Sequence, residues 1–219
     1  MKKNFLYIAA AAVLGFSSCV ELDRYPLEEL SDGSFWKSAT DAEMAVSDLY
    51  PSLPSIYEID DAINSDDAVH GIKWAAGNVS KGIYDPLDMG WSGSYGAIRQ
   101  ANIILSKIDE VPNYDTADKN KVLGQTYFFR AFHYFDLIRT FGDVPYIDKP
   151  LTLADQEGIT RAPRAEVYSK MMADFDKAIE YLPTSWSGSD YGRITKGAAL
   201  AMKARAALYY GDWQVAADN

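Results

Sequence analysis

The sequence predicts an all-α fold of helix-turn-helix repeats, with a long irregular loop region between the first two helices. Apolar residues recur at spacings of three and four in five segments, and Gly or Pro residues mark the ends of these segments. The hexapeptides "RAFHYF" (130–135) and "RAALYY" (205–210) also align at a shift of 75 residues. This shift fits two units of about 34 residues with an insertion, so each unit would bury its apolar face against the next.

The acidic composition limits the classes of partner. The chain has 219 residues and is 48% hydrophobic, which suffices for one core or a short array of repeats. It has 31 acidic and 21 basic residues, a formal net charge of −10. Nucleic-acid binding needs clustered basic residues, so the composition argues against nucleic acid and against other polyanions.

Residues 1–18 are predicted to be a lipoprotein signal peptide. Lys2 and Lys3 precede an apolar run, residues 5–16, that is too short to span a bilayer. Cys19, the only cysteine, follows two serines in "GFSSCVELD", which resembles a bacterial lipobox. Its cysteine would carry acyl chains such as palmitate, and these would hold the protein on a membrane without a spanning helix. The alternative is an ordinary secretory signal with an incidental cysteine.

The first predicted helix lies in "SATDAEMAVSDLYPSL". Thr40 and Glu43 have the spacing of a capping box, and Pro51 and Pro54 end the segment. Its apolar stripe consists of Ala42, Ala45, Val46 and Leu49. Over residues 55–93 the helical periodicity gives way to Gly, Asp and Asn residues with turn chemistry, which predicts a long, ordered loop region.

Two helices follow the irregular region. The second runs from Ser94 to Asp109 and has Asn102 beside its apolar stripe, which is Ile98, Ala101, Leu105 and Ile108. The third, of some 18 residues, lies in "GQTYFFRAFHYFDLIRTFGDVPYI" (124–147) and ends near Gly142. It has one stripe of Leu123, Tyr127, Ala131, Tyr134 and Ile138, and a second of Phe128, Phe132 and Phe135.

The fourth and fifth helices repeat this plan. Pro163 stands in the first turn of the fourth, whose apolar face is Val167, Met171, Phe175, Ala178 and Leu182. Thr195 is the predicted N-cap of the fifth and Gly211 its end. "YYGDWQVAAD" indicates one unit ending and another beginning.

The aromatic third helix is predicted to be core rather than a binding surface. Its phenylalanines spread around the helix, so neighbouring helices must cover it on several sides. They are Phe128, Phe129, Phe132 and Phe135. We expect Arg130 to pair with a carboxylate or to stack on Tyr134, and His133 to be hydrogen-bonded and partly buried.

The irregular region is the predicted place for ligand contacts. Sugars pack C–H faces on aromatic rings and hydrogen-bond carboxylate and amide groups. The candidate glycan-binding residues are Trp74, Trp91, Asp66, Asp67, Asn78 and Tyr84. For Trp91 packing in the core is the alternative, and for Trp74 contact and packing are equally open. Asp66 and Asp67 are also possible Ca²⁺ ligands, but the spacing of the twelve-residue calcium loop is missing.

Catalysis is not expected. The sequence contains no GxSxG, no HExxH and no phosphate-binding loop. Adjacent Asp66 and Asp67 diverge on an extended chain, so they are unsuited to flank a glycosidic bond. The two histidines, His70 and His133, and one lipidated cysteine predict neither a zinc site nor a cofactor.

Five segments in order resemble the SusD/RagB family of Bacteroidetes. They are "SFWKSATDAEMAVSDLY", "WSGSYGAIRQAN", "GQTYFFRAFHYFDLIRTFGDVPYI", "RAEVYSKMMADFDKAIEYLP" and "GRITKGAALAMKARAALYYGDW". The resemblance implies a tetratricopeptide-like helical fold and a surface-exposed lipoprotein of the cell outer membrane. It also implies binding of starch, another glycan or another nutrient, and a role as a lid on a TonB-dependent transporter of the SusC type.

Members of this family are considerably longer than this chain. We therefore expect it to be the N-terminal portion of such a protein, either a fragment or a truncated gene product. A repeat stack that ends on an uncovered apolar helix should be less stable than a complete array. The alternative function is that of a helical-repeat scaffold lipoprotein that binds only protein partners, because such repeats offer concave peptide-binding surfaces.

Overall fold

The computed structural model describes residues 35–54, residue 82 and residues 90–219. The described α-helices lie in one compact unit, residues 37–219. They are α1 (Ala39–Ser47), α2 (Ser92–Lys107), α3 (Thr116–Phe141), α4 (Arg164–Tyr181), α5 (Lys196–Tyr210) and α6 (Trp213–Asp218). Short 3₁₀ turns lie at Tyr50–Ser52, Ile108–Glu110, Ala154–Gln156 and Gly188–Asp190. These ranges contain no β-strand, and the predicted all-α class is confirmed.

Consecutive helices pack on one another from α2 to α6, and α1 packs against α2 and α3. This is the arrangement expected for stacked helix-turn-helix units, since each helix hairpin buries its apolar face against the next. No helix within the described ranges is long and apolar enough to cross a bilayer. Most of the predicted irregular region, and the predicted signal peptide with Cys19, lie outside the described residues.

The start of α1 differs from the sequence prediction. Ser38 is the N-cap, its Oγ accepts from Asp41 N, and the Asp41 carboxylate accepts from Ser38 N at 2.8 Å. The capping box predicted at Thr40 and Glu43 is therefore wrong, because the same spacing occurs two residues earlier and Thr40 is already helical. The predicted apolar stripe is confirmed: Ala42, Ala45, Val46 and Leu49 are all buried.

The bounds of α2 and α3 also differ from the prediction. α2 begins at Ser92 rather than Ser94, and it buries Ile104 where Leu105 was predicted. α3 has 26 residues instead of some 18, because Asp115 caps a polar first turn that lacks apolar periodicity. Gly142 ends α3 as predicted, at φ 72°, a backbone conformation that favours glycine.

The predicted features of α4 and α5 are confirmed with one small shift. Pro163 is the N-cap of α4 rather than a residue of its first turn. The predicted apolar face of α4 is buried, namely Val167, Met171, Phe175, Ala178 and Leu182. Thr195 Oγ1 caps α5 by accepting from Ala198 N at 3.3 Å, and Gly211 ends it in the left-handed conformation. α6 is the further helix that "YYGDWQVAAD" indicated.

The aromatic helix α3 forms the core, as predicted. Phe128, Phe129 and Phe135 are buried, while Phe132 is only half-buried. Phe128 meets Phe175 of α4 edge to face, with ring centroids 6.1 Å apart. Gly124 allows α3 to approach the end of α4, because a Cβ at this position would lie 2.9 Å from Leu182 Cγ.

A buried arginine joins three helices. Arg130 of α3 donates from Nε and Nη2 to the two carboxylate oxygens of Asp174 in α4, each at 2.7 Å. Its Nη1 donates to Asn102 Oδ1 of α2 at 2.9 Å. Burial works against the charge, but the bonds to Asp174 hold the pKa of Arg130 above its ordinary value. The predicted carboxylate pairing of Arg130 is confirmed, and we call these three residues the Arg130 anchor.

The anchor extends to the segment after α3. Asn102 Nδ2 donates to the carbonyl oxygen of Ile147 at 2.9 Å. Tyr134 Oη donates to the same carbonyl at 2.9 Å and accepts from Ile147 N at 2.6 Å. Ala162 N donates to Val144 O at 2.9 Å, which holds the other end of the connection. The backbone groups of Ile147 and the carbonyl of Val144 thus find partners in α2, α3 and the residues before α4.

A buried histidine joins α3 to the turn after α1. His133 Nε2 lies 2.9 Å from Ser52 Oγ. The Ser52 hydroxyl donates its proton to Leu49 O at 2.6 Å, so its oxygen accepts from His133 Nε2–H. Burial lowers the pKa of His133 to about 4, which keeps the ring neutral near pH 7. The predicted hydrogen bond of His133 is confirmed, and the ring is buried rather than partly buried, with 4% of its surface exposed.

Replacing Asp174 with Asn should lower the free energy of unfolding by about 3–5 kcal/mol, because Arg130 would remain buried without an anion. The matched control is Asp176→Asn on the same helix. Its carboxylate is 61% exposed and pairs with Lys203, so we expect a loss under about 1 kcal/mol. Urea unfolding of the two variants measures this difference. Equal losses would show that the anchor does not hold the helices.

His133 should make stability depend on pH. Its pKa of about 4 in the fold lies below about 6.5 in the unfolded chain, so the unfolded state binds more protons between these values. The contribution is fully present above about pH 6.5, is lost as the pH falls towards 4, and amounts to about 3 kcal/mol. Gln can also donate to Ser52, so urea unfolding of His133→Gln from pH 4 to 7 should show a shallower dependence than wild type. Parallel profiles would contradict this assignment.

Candidate functional site

A cleft of about 660 Å³ opens beside the C-terminal half of α3. Its walls come from the turn after α1, the start of α2, α3 and α5: Ser52, Leu53, Pro54, Gly90, Gly93, Ser94, Phe132, His133, Phe135, Asp136, Arg139, Met202 and Arg205. Pro54 directly precedes the predicted ligand-binding region (55–93), Gly93 is its last residue, and both line the cleft. The cleft is thus bordered by described residues at both ends of that region.

Two aromatic rings, with Leu53, Pro54 and Met202, form the apolar part of the cleft. Phe132 stacks on Phe128 with ring centroids 6.2 Å apart and lies edge-on to His133 at 5.4 Å. Phe135 lies edge-on to Tyr209 of α5 at 5.4 Å. These contacts hold the rings in fixed orientations, so an apolar ligand face would meet a surface that is already formed.

Hydroxyl, carboxylate and guanidinium groups form the polar part. Asp136 accepts from Arg139 Nη2 at 3.0 Å and from Ser94 Oγ at 3.4 Å. Arg205 lies on the exposed side of α5. The neutral His133 ring is hydrogen-bonded to Ser52 Oγ through Nε2. Groups of three or more potential metal-binding side chains do not occur in the described residues. The arrangement suits a ligand with both apolar faces and hydroxyl groups.

Trp91 stands at the N-cap of α2, next to the cleft but outside its lining. The half-buried ring lies edge-on to Tyr95 at 5.5 Å and to Phe141 at 5.4 Å, and the Arg161 guanidinium is 5.4 Å from its centroid. Tyr95 Oη donates to Pro145 O at 2.7 Å, and burial raises the pKa of this phenol. Trp91 therefore has packing partners, and its contact with a ligand stays a prediction.

The other candidate residues cannot be placed in the cleft. Asp66, Asp67, Trp74, Asn78 and Tyr84 lie outside the described residues. Sequence reasoning assigned Phe132 to the core and overlooked Asp136, Arg139 and Arg205 as lining residues. For α3 the helical spacing was an available signal. Phe132, Asp136 and Arg139 are four and three residues apart, so they share one side of the helix. No local signal indicates that Arg205 faces the same cleft.

The sequence is similar to known proteins over nearly its full length. A family model described as "Starch-binding associating with outer membrane", of the SusD-like group, matches residues 33–208. SusD-like proteins P2 and P38 of Formosa agariphila are each 30% identical to this chain, over 99% and 97% of its length. The chain spans less than half of these relatives, 45% and 43% of their lengths.

Solved structures show the same fold. A SusD-like protein from Bacteroides fragilis is 29% identical, with a TM-score of 0.75 over 88% of this chain and 39% of that one. A laminarin-binding SusD-like protein, also 29% identical, has a TM-score of 0.73 over 83% of this chain and 42% of its own. The family match covers most of the sequence, and the relatives share its helical architecture. This chain belongs to the SusD-like family.

Proposed function

We propose that this chain is the glycan-binding part of a lipoprotein on the outer membrane and that it delivers glycan to a TonB-dependent transporter of the SusC type. The observation that carries the proposal is the aromatic and polar cleft in a chain of this family. The family model is described by starch binding, and one solved relative is named for laminarin. Both are glycans, which supports a glycan ligand here without identifying its sugar.

The cleft has the chemistry that a sugar requires. Its volume of about 660 Å³ falls within the range of small-ligand sites, about 300–1,000 Å³. The half-buried Phe132 offers a ring to the C–H face of a pyranose. Ser94 and Asp136 offer a hydroxyl and a carboxylate to its hydroxyl groups. Binding would thus use pre-formed contacts on α2 and α3.

The irregular region would complete the site. Pro54 precedes this region and Gly93 is its last residue, and both line the cleft. We propose that Trp74 and Tyr84 add aromatic contacts, that Asp66, Asp67 and Asn78 add hydrogen-bond acceptors, and that Trp91 supports or joins this surface. The cleft and this region would together contact a chain of several sugars.

Binding without hydrolysis is the proposed activity. Glycosidases generally use two carboxyl groups on either side of the scissile bond. Asp136 is the one carboxylate among the described lining residues, and it pairs with Arg139. The described part of the cleft therefore offers no pair for acid and base roles.

Glycan binding is tested by electrophoresis of the protein in gels that contain laminarin, starch or other neutral glycans. At least one glycan should retard wild-type protein, and Trp74→Ala should weaken the retardation by about tenfold, in line with the loss of one stacking contact. The control is Trp213→Ala, since Trp213 lies on α6, is 68% exposed and is not among the cleft-lining residues. If no glycan in a broad panel retards the protein, carbohydrate is the wrong ligand class.

A protein-only scaffold is the second candidate. Leu208, Tyr209 and Trp213 are more than half exposed on α5 and α6, and such apolar groups favour protein contacts.

In a pull-down from outer membranes, we expect the tagged wild-type protein to recover a single large β-barrel partner. Cys19→Ala should be missing from the outer-membrane fraction, because it lacks the lipid anchor. Recovery of varied soluble partners, with no barrel, would favour the scaffold.

A further inference from the structure

We propose that the cleft selects a glycan with sparse negative charge, an otherwise neutral chain that carries occasional uronate or sulfate groups, and that Arg205 binds the charged group. This inference rests on the proposed glycan-binding function and specifies its ligand class. Its basis is the balance of charge in the cleft.

The charges of the residues that line the cleft do not sum to zero. The charged residues are Asp136, Arg139 and Arg205. Asp136 and Arg139 form an ion pair at 3.0 Å, and His133 is neutral near pH 7. Arg205 forms no ion pair or hydrogen bond with any described residue. The described lining therefore has one positive charge in excess, in a chain with a formal net charge of −10.

Arg205 contrasts with its neighbours on α5. Lys203, two residues earlier, pairs with Asp176 at 2.7 Å. Met202, one turn before Arg205, also lines the cleft, so this edge of α5 faces the site. A guanidinium group presents a planar fork of N–H donors that matches a carboxylate or sulfate oxygen pair. The guanidinium N–H donors of Arg205 are available to bind such a group.

The overall negative charge explains why the ligand's charge should be sparse. At physiological salt, charges more than about 8 Å apart are largely screened. The electrostatic energy of an anionic group bound at Arg205 therefore depends mainly on the charges in the cleft. A glycan with a charge on every sugar would place its other anions along an acidic protein surface. Neutral sugars can instead pack on Phe132 while a single acidic branch reaches Arg205.

The experiment compares charged glycans with their neutral forms in affinity gels. Glucuronoxylan and gum arabic serve as uronate probes, each against its carboxyl-reduced form, and lightly sulfated agar serves as the sulfate probe against its desulfated form. We expect wild-type protein to bind at least one charged form about tenfold more tightly than the neutral form, the usual gain from a charge-assisted hydrogen bond. The probe that responds distinguishes uronate from sulfate.

Arg205→Gln should lower this preference from about tenfold to less than about twofold, because the substitution removes the charged donor. Arg99→Gln is the matched control, because Arg99 is exposed on α2 and lines a separate pocket of about 230 Å³. It removes the same charge and should keep the preference. Thermal unfolding checks that both variants fold.

Two outcomes overturn the inference in distinguishable ways. If charged and neutral forms bind equally, or if Arg205→Gln keeps the preference, Arg205 does not select the ligand, and glycan binding itself still stands. If no form of any glycan is retained, including the neutral panel, the proposed function fails and this inference fails with it.

Discussion

The buried ion pair between Arg130 and Asp174 is the interaction on which the remaining architecture depends. An arginine with two charge-assisted bonds at 2.7 Å and a third to Asn102 has its main donors satisfied away from water. Such a pair adds little net stability over apolar packing, but breaking it is costly, so it specifies one arrangement of α2, α3 and α4. Arg139 lies nine residues after Arg130, which places it on the opposite side of the helix at about 100° per residue. One side of α3 therefore holds the stack together, and the other side faces the cleft.

The turn after α1 is held on α3 by a second polar cluster. Tyr50 Oη donates to Gln125 Oε1 at 2.6 Å, and Arg193 Nη1 donates to the same oxygen at 3.2 Å. Ile194 N donates to Tyr50 Oη at 3.1 Å, so the connection between α4 and α5 also joins this cluster. With the bond between His133 and Ser52, these contacts position the wall that ends at Pro54. A wall fixed in advance reduces the ordering cost of binding, which is consistent with the proposed glycan-binding role.

Local sequence patterns predicted the helices well, because apolar periodicity and glycine stops act within one helix. They failed at polar ends: the first turn of α3 has no apolar stripe, and the α1 cap had two competing spacings. The carboxylate partner of Arg130 could be expected but not identified as Asp174, which is 44 residues away in sequence. Arg205 was missed for the same reason, since the cleft joins α5 to residues more than 60 positions earlier. Long-range placement follows from packing, which a single sequence does not display.

Methionine methyl NMR tests most directly whether glycan binds in this cleft. Met202 lines the cleft, Met44 is 52% exposed on α1 beside a different groove, and Met171 is fully buried in the core. In protein labelled with ¹³C at the methionine methyl groups, a saturating glycan that the protein retains should shift the Met202 signal and leave those of Met44 and Met171 in place. A shift of Met44 with an unchanged Met202 would place the ligand elsewhere and contradict the account.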